Sequence, residues 1–162
     1  MALVFTLTKQ AAKIAHINLR IEMHGEEELA GMDIKVQADV PNDFLSYLSS
    51  TLKWSLYDKP DKQAELIEDK GHLPRLRYSE LGEMHWAGEM DHAVFVVHGA
   101  KKSEDLQLEG EVDKVRIECK DGGTVALTFR VKVLPTPAQT GALSGLLGKD
   151  VRVSVGKQDE GE

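Results

Sequence analysis

Two stretches of this chain interleave aromatic and basic side chains: Lys53-Trp54-Ser55-Leu56-Tyr57-Asp58-Lys59, and Arg75-Leu76-Arg77-Tyr78 running on to His85-Trp86. Unpaired bases stack on aromatic faces while cations follow the phosphates, so this mixture is what a single-strand binder requires. A further basic set comes from an alternating segment, where Lys114 and Arg116 stand opposite Arg130 and Lys132 on the polar side of a hairpin. Lys53, Trp54, Tyr57, Arg75, Arg77, Tyr78, Trp86, Lys114, Arg116, Arg130 and Lys132 are therefore the candidate nucleic-acid contacts. The competing reading is structural: aromatic residues pack, and charge on a strand's outer side keeps it soluble.

Other chemistry is thinner. Glu26, Glu27 and Glu28 offer hard oxygen atoms, but consecutive loop carboxylates diverge and the calcium-loop spacing is missing, so they are candidates only for an acidic partner-binding surface. His16 and His24 lie eight residues apart on one strand, and His85, His92 and His98 have no close cysteine or aspartate partner at a zinc spacing. No Gly-x-Ser-x-Gly elbow, phosphate-cradling loop or catalytic cysteine and histidine pair occurs. The expectation is a protein without cofactor or metal that is not an enzyme.

The elements that must position these residues follow from periodicity. Ile17, Leu19, Ile21 and Met23 alternate with polar residues, Gly25 to Glu28 turn the chain, and Met32, Ile34, Val36, Ala38 and Val40 return on one face. Pro41 ends that strand, and Phe44, Leu45, Leu48 and Leu52 predict a helix over about 43–56. The polar run 58–71 reads as an exposed connection carrying one turn of helix. Leu73–Tyr78 and Ala93–Val97 read as strands. Val115, Ile117 and Cys119, the turn Asp121-Gly122-Gly123, and Leu127 to Val133 make a second hairpin. Thr136 caps a second helix with Pro137 at its first position and Gly148 at its end, and Val151, Val153 and Val155 give a last strand.

Both hairpins run through a proline into a short amphipathic helix, which suggests a ββα pseudo-repeat over about 14–57 and 112–148. The expected fold is α+β and mostly β: an antiparallel sheet or curved sandwich built from two similar hairpin-helix units, with two short helices packed on it. A closed barrel is the alternative. The 162 residues suit a single domain over 1–156, with 157–162 as a disordered acidic tail. Cys119 has no partner for an internal disulfide and reads as a small core residue in a reducing compartment. The start lacks the pattern of a secretory signal, and no window approaches the roughly 20 apolar residues of a membrane helix, so a cytoplasmic location is expected. Twenty basic against 27 acidic residues give a net charge of −7, which opposes nonspecific attraction to duplex DNA or anionic membrane.

On His24-Gly25-Glu26-Glu27, Val40-Pro41-Asn42, Leu52-Lys53-Trp54-Ser55-Leu56-Tyr57, and Gly122-Gly123-Thr124-Val125 leading to Phe129-Arg130-Val131, the chain resembles an uncharacterised early-gene family of tailed phages and prophages. The resemblance spans nearly the full length and implies a neighbourhood of recombination and replication genes; it supplies no catalytic residues. The acidic tail is similar in charge to the partner-recruiting tail of bacterial single-strand-binding proteins but lacks their terminal aromatic residue. The leading expectation is a non-enzymatic accessory protein that binds single-stranded DNA or a phage recombination protein. One alternative is an anti-defence inhibitor that meets a host nuclease or CRISPR-type effector through an acidic surface. Another is a virion structural component. Alternating edge strands also make sheet-mediated self-association easy.

Overall fold

A computed structural model describes residues 2–60 and 71–158. The first hairpin joins β1, Leu7–His24, to β2, Glu27–Pro41, in antiparallel register from Lys13 opposite Gln37 to His24 opposite Glu27. Its loop is Gly25-Glu26, with Gly25 at φ 68°, the positive value that a turn matching the twist of its strands demands at this position. Along β2 the alternation is read out directly: Met32, Ile34, Val36, Ala38 and Val40 are buried, while Lys35, Gln37 and Asp39 are exposed.

Short helical pieces follow. A 3-10 turn, Asn42–Phe44, leads into α1, Leu45–Leu48, and then α2, Leu52–Leu56. The continuous helix expected over 43–56 is thus broken, and its middle shows why. Ser49 Oγ lies 3.3 Å from Thr51 Oγ1 and accepts from the Thr51 N–H at 3.4 Å, a local hydroxyl alternative to helical bonding. After β3, Tyr57–Asp58, the described chain resumes before β4, Arg75–Leu76, which pairs with β3; the longer strand expected over Leu73–Tyr78 is reduced to these two residues. Most of the connection expected over 58–71, and the tip of the acidic tail, lie outside the described residues.

The remaining elements are β5, Glu83–Trp86; β6, Met90–His98; β7, Leu106–Lys120; β8, Thr124–Val133; α3, Pro137–Ser144; and β9, Asp150–Lys157. Thr136 caps α3 in a capping box with Gln139, and the helix ends at Gly145, one turn before Gly148.

Strand pairing runs β7–β6–β9–β1–β2–β8, and β8 pairs back to β7, so six strands close into an antiparallel barrel. This replaces the expected open sheet or sandwich: β2 and β8 lie side by side over ten residue pairs, which carries the sheet round onto itself. Nor does the molecule divide into two hairpin-helix units, because β6 and β9 complete the same barrel wall. Ile34, Val36, Phe95, Val112, Phe129, Val131 and Val153 are all fully buried in its interior. Phe5 stoppers the barrel, with its ring centre 5.2 Å from Phe44 and 5.6 Å from Phe129, both in edge-on geometry. Gly110 is required at the β7–β8 seam, since a Cβ there would collide with the Lys132 carbonyl oxygen.

Below the barrel, Asn42 gathers three loops. Its N–H donates to the Gly123 carbonyl at 2.9 Å and its Nδ2 to the Leu73 carbonyl at 2.7 Å. Tyr57 is fully buried beside them, with its hydroxyl 2.8 Å from the Lys120 carbonyl oxygen and 3.1 Å from that of Thr124. Among the described residues no helix is long and apolar enough to cross a membrane.

Candidate nucleic-acid interface

Register decides which outward side chains become neighbours. His16, Lys35, Arg130 and Asp113 form one rung across β1, β2, β8 and β7. The next rung towards the β7–β8 turn is Lys13, Gln37, Thr128, Arg116 and, on β5, His85. Between these rungs both outer strands carry an extra residue: β1 at Ala15, and β7 at Lys114, which sits at φ 50°. Bulges bend a strand and increase its twist, and here they flank a concave surface. The result is a groove of about 300 Å³ lined by His16, Asn18, Asp33, Lys35, Lys114, Arg116, Thr128, Phe129 and Arg130.

Its charge is uneven in a useful way. Arg130 is held by Asp113 in a two-pronged pair, Nε to Oδ1 at 2.8 Å and Nη2 to Oδ2 at 2.6 Å, which strengthens its hold on its proton. Asp33 is engaged by Arg20 at 2.8 Å. Arg116 makes a long contact to Glu83, 3.6 Å, its sole ion pair among the described residues. Lys35 and Lys114 have no ion-pair partner among the described residues, and Lys35 stands directly opposite Arg130. Opposed like charges are unfavourable unless an anion joins them. On the turn side the basic band ends at an acidic rung, Asp39, Ala126, Glu118 and Glu83; on the other it gives way to Asn18, Asp33, Lys132 and Glu111.

The other predicted contacts do not meet in this groove. Tyr57 has no exposed surface, so its ring cannot stack on a base. Trp86 pairs with Val115, whose side chain points inward, and is half-buried against the core. Trp54 is 66 % exposed, with the Arg77 guanidinium 5.4 Å from its ring centre. Arg77 also donates to the carbonyls of Trp54 and Tyr57, at 3.2 and 3.0 Å, and Arg75 reaches Asp58 at 2.7 Å. The Lys59 N–H first, then Arg75, hold the Asp58 carboxyl below its ordinary range. Lys53 bridges Asp43 at 2.5 Å and the Gly71 carbonyl at 2.6 Å. Lys53, Trp54, Arg75, Arg77 and the exposed Tyr78 thus belong to a separate patch around β3 and β4. Lys132 lines a different cleft with Arg20, Glu22, Asp91, Glu109 and Glu111. Glu26, Glu27 and Glu28 are exposed at the tip of the first hairpin.

Sequence reasoning missed His16, Asn18 and Lys35 as partners of the second hairpin. Their outward positions were legible from alternation, but nothing local places β2 against β8.

Two further constellations come from the fold. Carboxylate oxygens of Glu89, Asp91 and Glu111 lie within 4.8 Å of one another, and a hydrogen bond to Glu89 pushes the Glu111 carboxyl up. Elsewhere, Ser154 Oγ lies 2.6 Å from His98 Nε2, and His98 Nδ1 lies 3.2 Å from Asp105 Oδ2. Asp105 also accepts the Gly99 N–H at 2.9 Å, the leading reason its carboxyl titrates low. This is the order of a nucleophile triad, but its setting is that of a clamp. β9 is flanked by β6 and β1; Ser154 pairs with Val96 on β6, and on the other side the β1 register shifts beside it, between Leu7 and Gln10. The N–H of Lys9, a bulge residue at φ 45°, is taken by Ser154 Oγ itself at 3.0 Å. Compared with protein-family models, curated proteins and solved structures, the chain matches none, and its groove is therefore read from its own chemistry.

Proposed function

We propose that the protein is a non-enzymatic DNA-processing accessory factor that binds single-stranded DNA across the outer face of its barrel. The observation that carries this reading is the groove centred on Lys35 and Arg130, two opposed cations joined by Lys114 and Arg116. Neighbouring strands are about 4.8 Å apart, so the basic band crossing β1, β2, β8 and β7 extends on the order of 15 Å, room for about three backbone phosphates. The acidic rung beside it limits the contact to a strand running across the β-strands rather than along them. Net charge −7 keeps the rest of the surface from binding duplex indiscriminately.

The test is fluorescence anisotropy of a labelled oligothymidylate at a series of salt concentrations. About three phosphate contacts give a slope near −2 for log affinity against log salt. Lys35→Glu and Lys114→Glu abolish binding, while Trp54→Ala leaves it in place. Absence of binding at low salt by a folded protein overturns the proposal, and loss on Trp54→Ala with both lysine variants intact overturns the placement.

A second reading, an inhibitor of a host nuclease with an acidic docking face, is favoured by the Glu89, Asp91 and Glu111 cluster, of which Asp91 and Glu111 line a cleft with Glu22 and Glu109. Failure of the oligonucleotide titration directs the search to that face.

A further inference from the structure

The first hairpin outreaches the barrel. Pairing of β1 with β9 stops at Lys13 opposite Asp150, and Ile14 then bonds to Gly148 and Lys149. From Ala15 to His24 the edge of β1 away from β2 has no backbone partner among the described residues. On this free edge Leu19, Ile21 and Met23 are 61, 72 and 60 % exposed, although they share the face that carries buried Met32 and Ile34. A long apolar edge strand is a template for strand addition, and this one carries no proline, lysine or bulge to blunt it beyond His16.

The geometry points to a second copy of this chain as the occupant, paired antiparallel through β1 about a two-fold axis at Ile21. The side-chain pattern selects both partner and register. An axis at Ile21 sets Ile21 against itself, Leu19 against Met23, and Arg20 against Glu22, with each pair occurring twice by symmetry apart from the central one. An axis at Arg20 would oppose two arginines, and one at Glu22 two glutamates. An axis at Leu19 would leave Met23 facing Ala15. Arg20 already touches Glu22 and Asp33 within its own chain, so on pairing the guanidinium groups bridge carboxylates from both copies. Gly31, opposite Arg20, leaves the space over which that guanidinium lies: a Cβ there would stand 2.5 Å from Nη1. Because such an axis is perpendicular to the sheet, the two basic grooves open on the same side of one continuous sheet. The inference stands on the edge and its side chains and does not require the ligand proposed above.

Sedimentation equilibrium of the full chain tests it. The expected result is a concentration-dependent dimer that becomes monomeric on Ile21→Lys, with an unchanged circular dichroism spectrum because the side chain is already outside. In a Cys119→Ser background, Ile21→Cys forms a disulfide-linked dimer on mild oxidation, since directly opposed residues lie within the Cα separation that a disulfide spans. Leu19→Cys does not. A chain that stays monomeric at its highest soluble concentration, or a dimer indifferent to Ile21→Lys, overturns the proposal. Crosslinking at position 19 in preference to 21 overturns the register.

Discussion

Lys35 on β2 and Arg130 on β8 face each other directly on the outside of the barrel, and among the described residues only Arg130 of the two has a carboxylate partner, that of Asp113. Like charges directly opposed across neighbouring strands carry a small penalty, which the Asp113 carboxylate offsets in part on the Arg130 side.

That penalty makes a two-sided prediction. Lys35→Gln raises the unfolding free energy at low salt by about 0.5 kcal/mol or less, because it relieves the opposition at an exposed site. The same change weakens oligonucleotide binding and makes the salt slope shallower by about 0.7, one phosphate contact fewer. Urea denaturation and anisotropy on the same variant measure both. A loss of stability would show that Lys35 is held by something other than its charge.

Tyr57 contributes to the alkaline sensitivity of the fold. Burial first, and the neighbouring Cys119 second, push its hydroxyl well above the ordinary tyrosine range. An unfolded tyrosine ionises near pH 10, so above that pH the unfolded chain releases a proton that the folded chain keeps. Stability is therefore fully present below about pH 10 and declines as pH rises from there towards the folded pKa. Tyr57→Phe flattens this decline but costs about 1–3 kcal/mol at neutral pH, because the Lys120 and Thr124 carbonyls lose their donor. Chemical denaturation from pH 7 to 11 on both proteins is the check. The Cys119 thiol is also pushed up by burial, so a decline that begins at lower pH remains in the variant.

Ser154 is expected to behave as a clamp. Ser154→Ala leaves the Lys9 N–H of the bulge without its acceptor and costs about 1 kcal/mol, read as a lower melting temperature. A fluorophosphonate probe does not label the wild-type protein. Covalent labelling lost on both Ser154→Ala and His98→Ala would establish a nucleophile instead.

Much of the local structure was legible in the residues. Period-two alternation marked β2 and β8 and sorted their inward from outward positions, because one face of each strand is buried against the core. Gly25 and the pair Gly122-Gly123 marked the hairpin turns, where the structure gives them positive φ, and Thr136 with Pro137 marked the start of α3. The break at Ser49 to Thr51 was missed, since helical spacing of Phe44, Leu45, Leu48 and Leu52 continues through it while the hydroxyls withdraw the backbone locally.

Alternation assigns a side chain to a face but says nothing about which distant strand lies beside it. That pairing was decided by closure: once β2 met β8, Lys35 came opposite Arg130, and aromatic candidates that looked equivalent in sequence parted company, Tyr57 into the interior and Trp54 into solvent. His98, Asp105 and Ser154 converge for the same reason, across 56 positions of chain between the histidine and the serine. The sequence by itself determined strands, turns and outward charge, because these depend on neighbours one to four residues away. The tertiary structure decided the groove, the clamp and the free edge of β1, because each is made by register between segments that no local pattern connects.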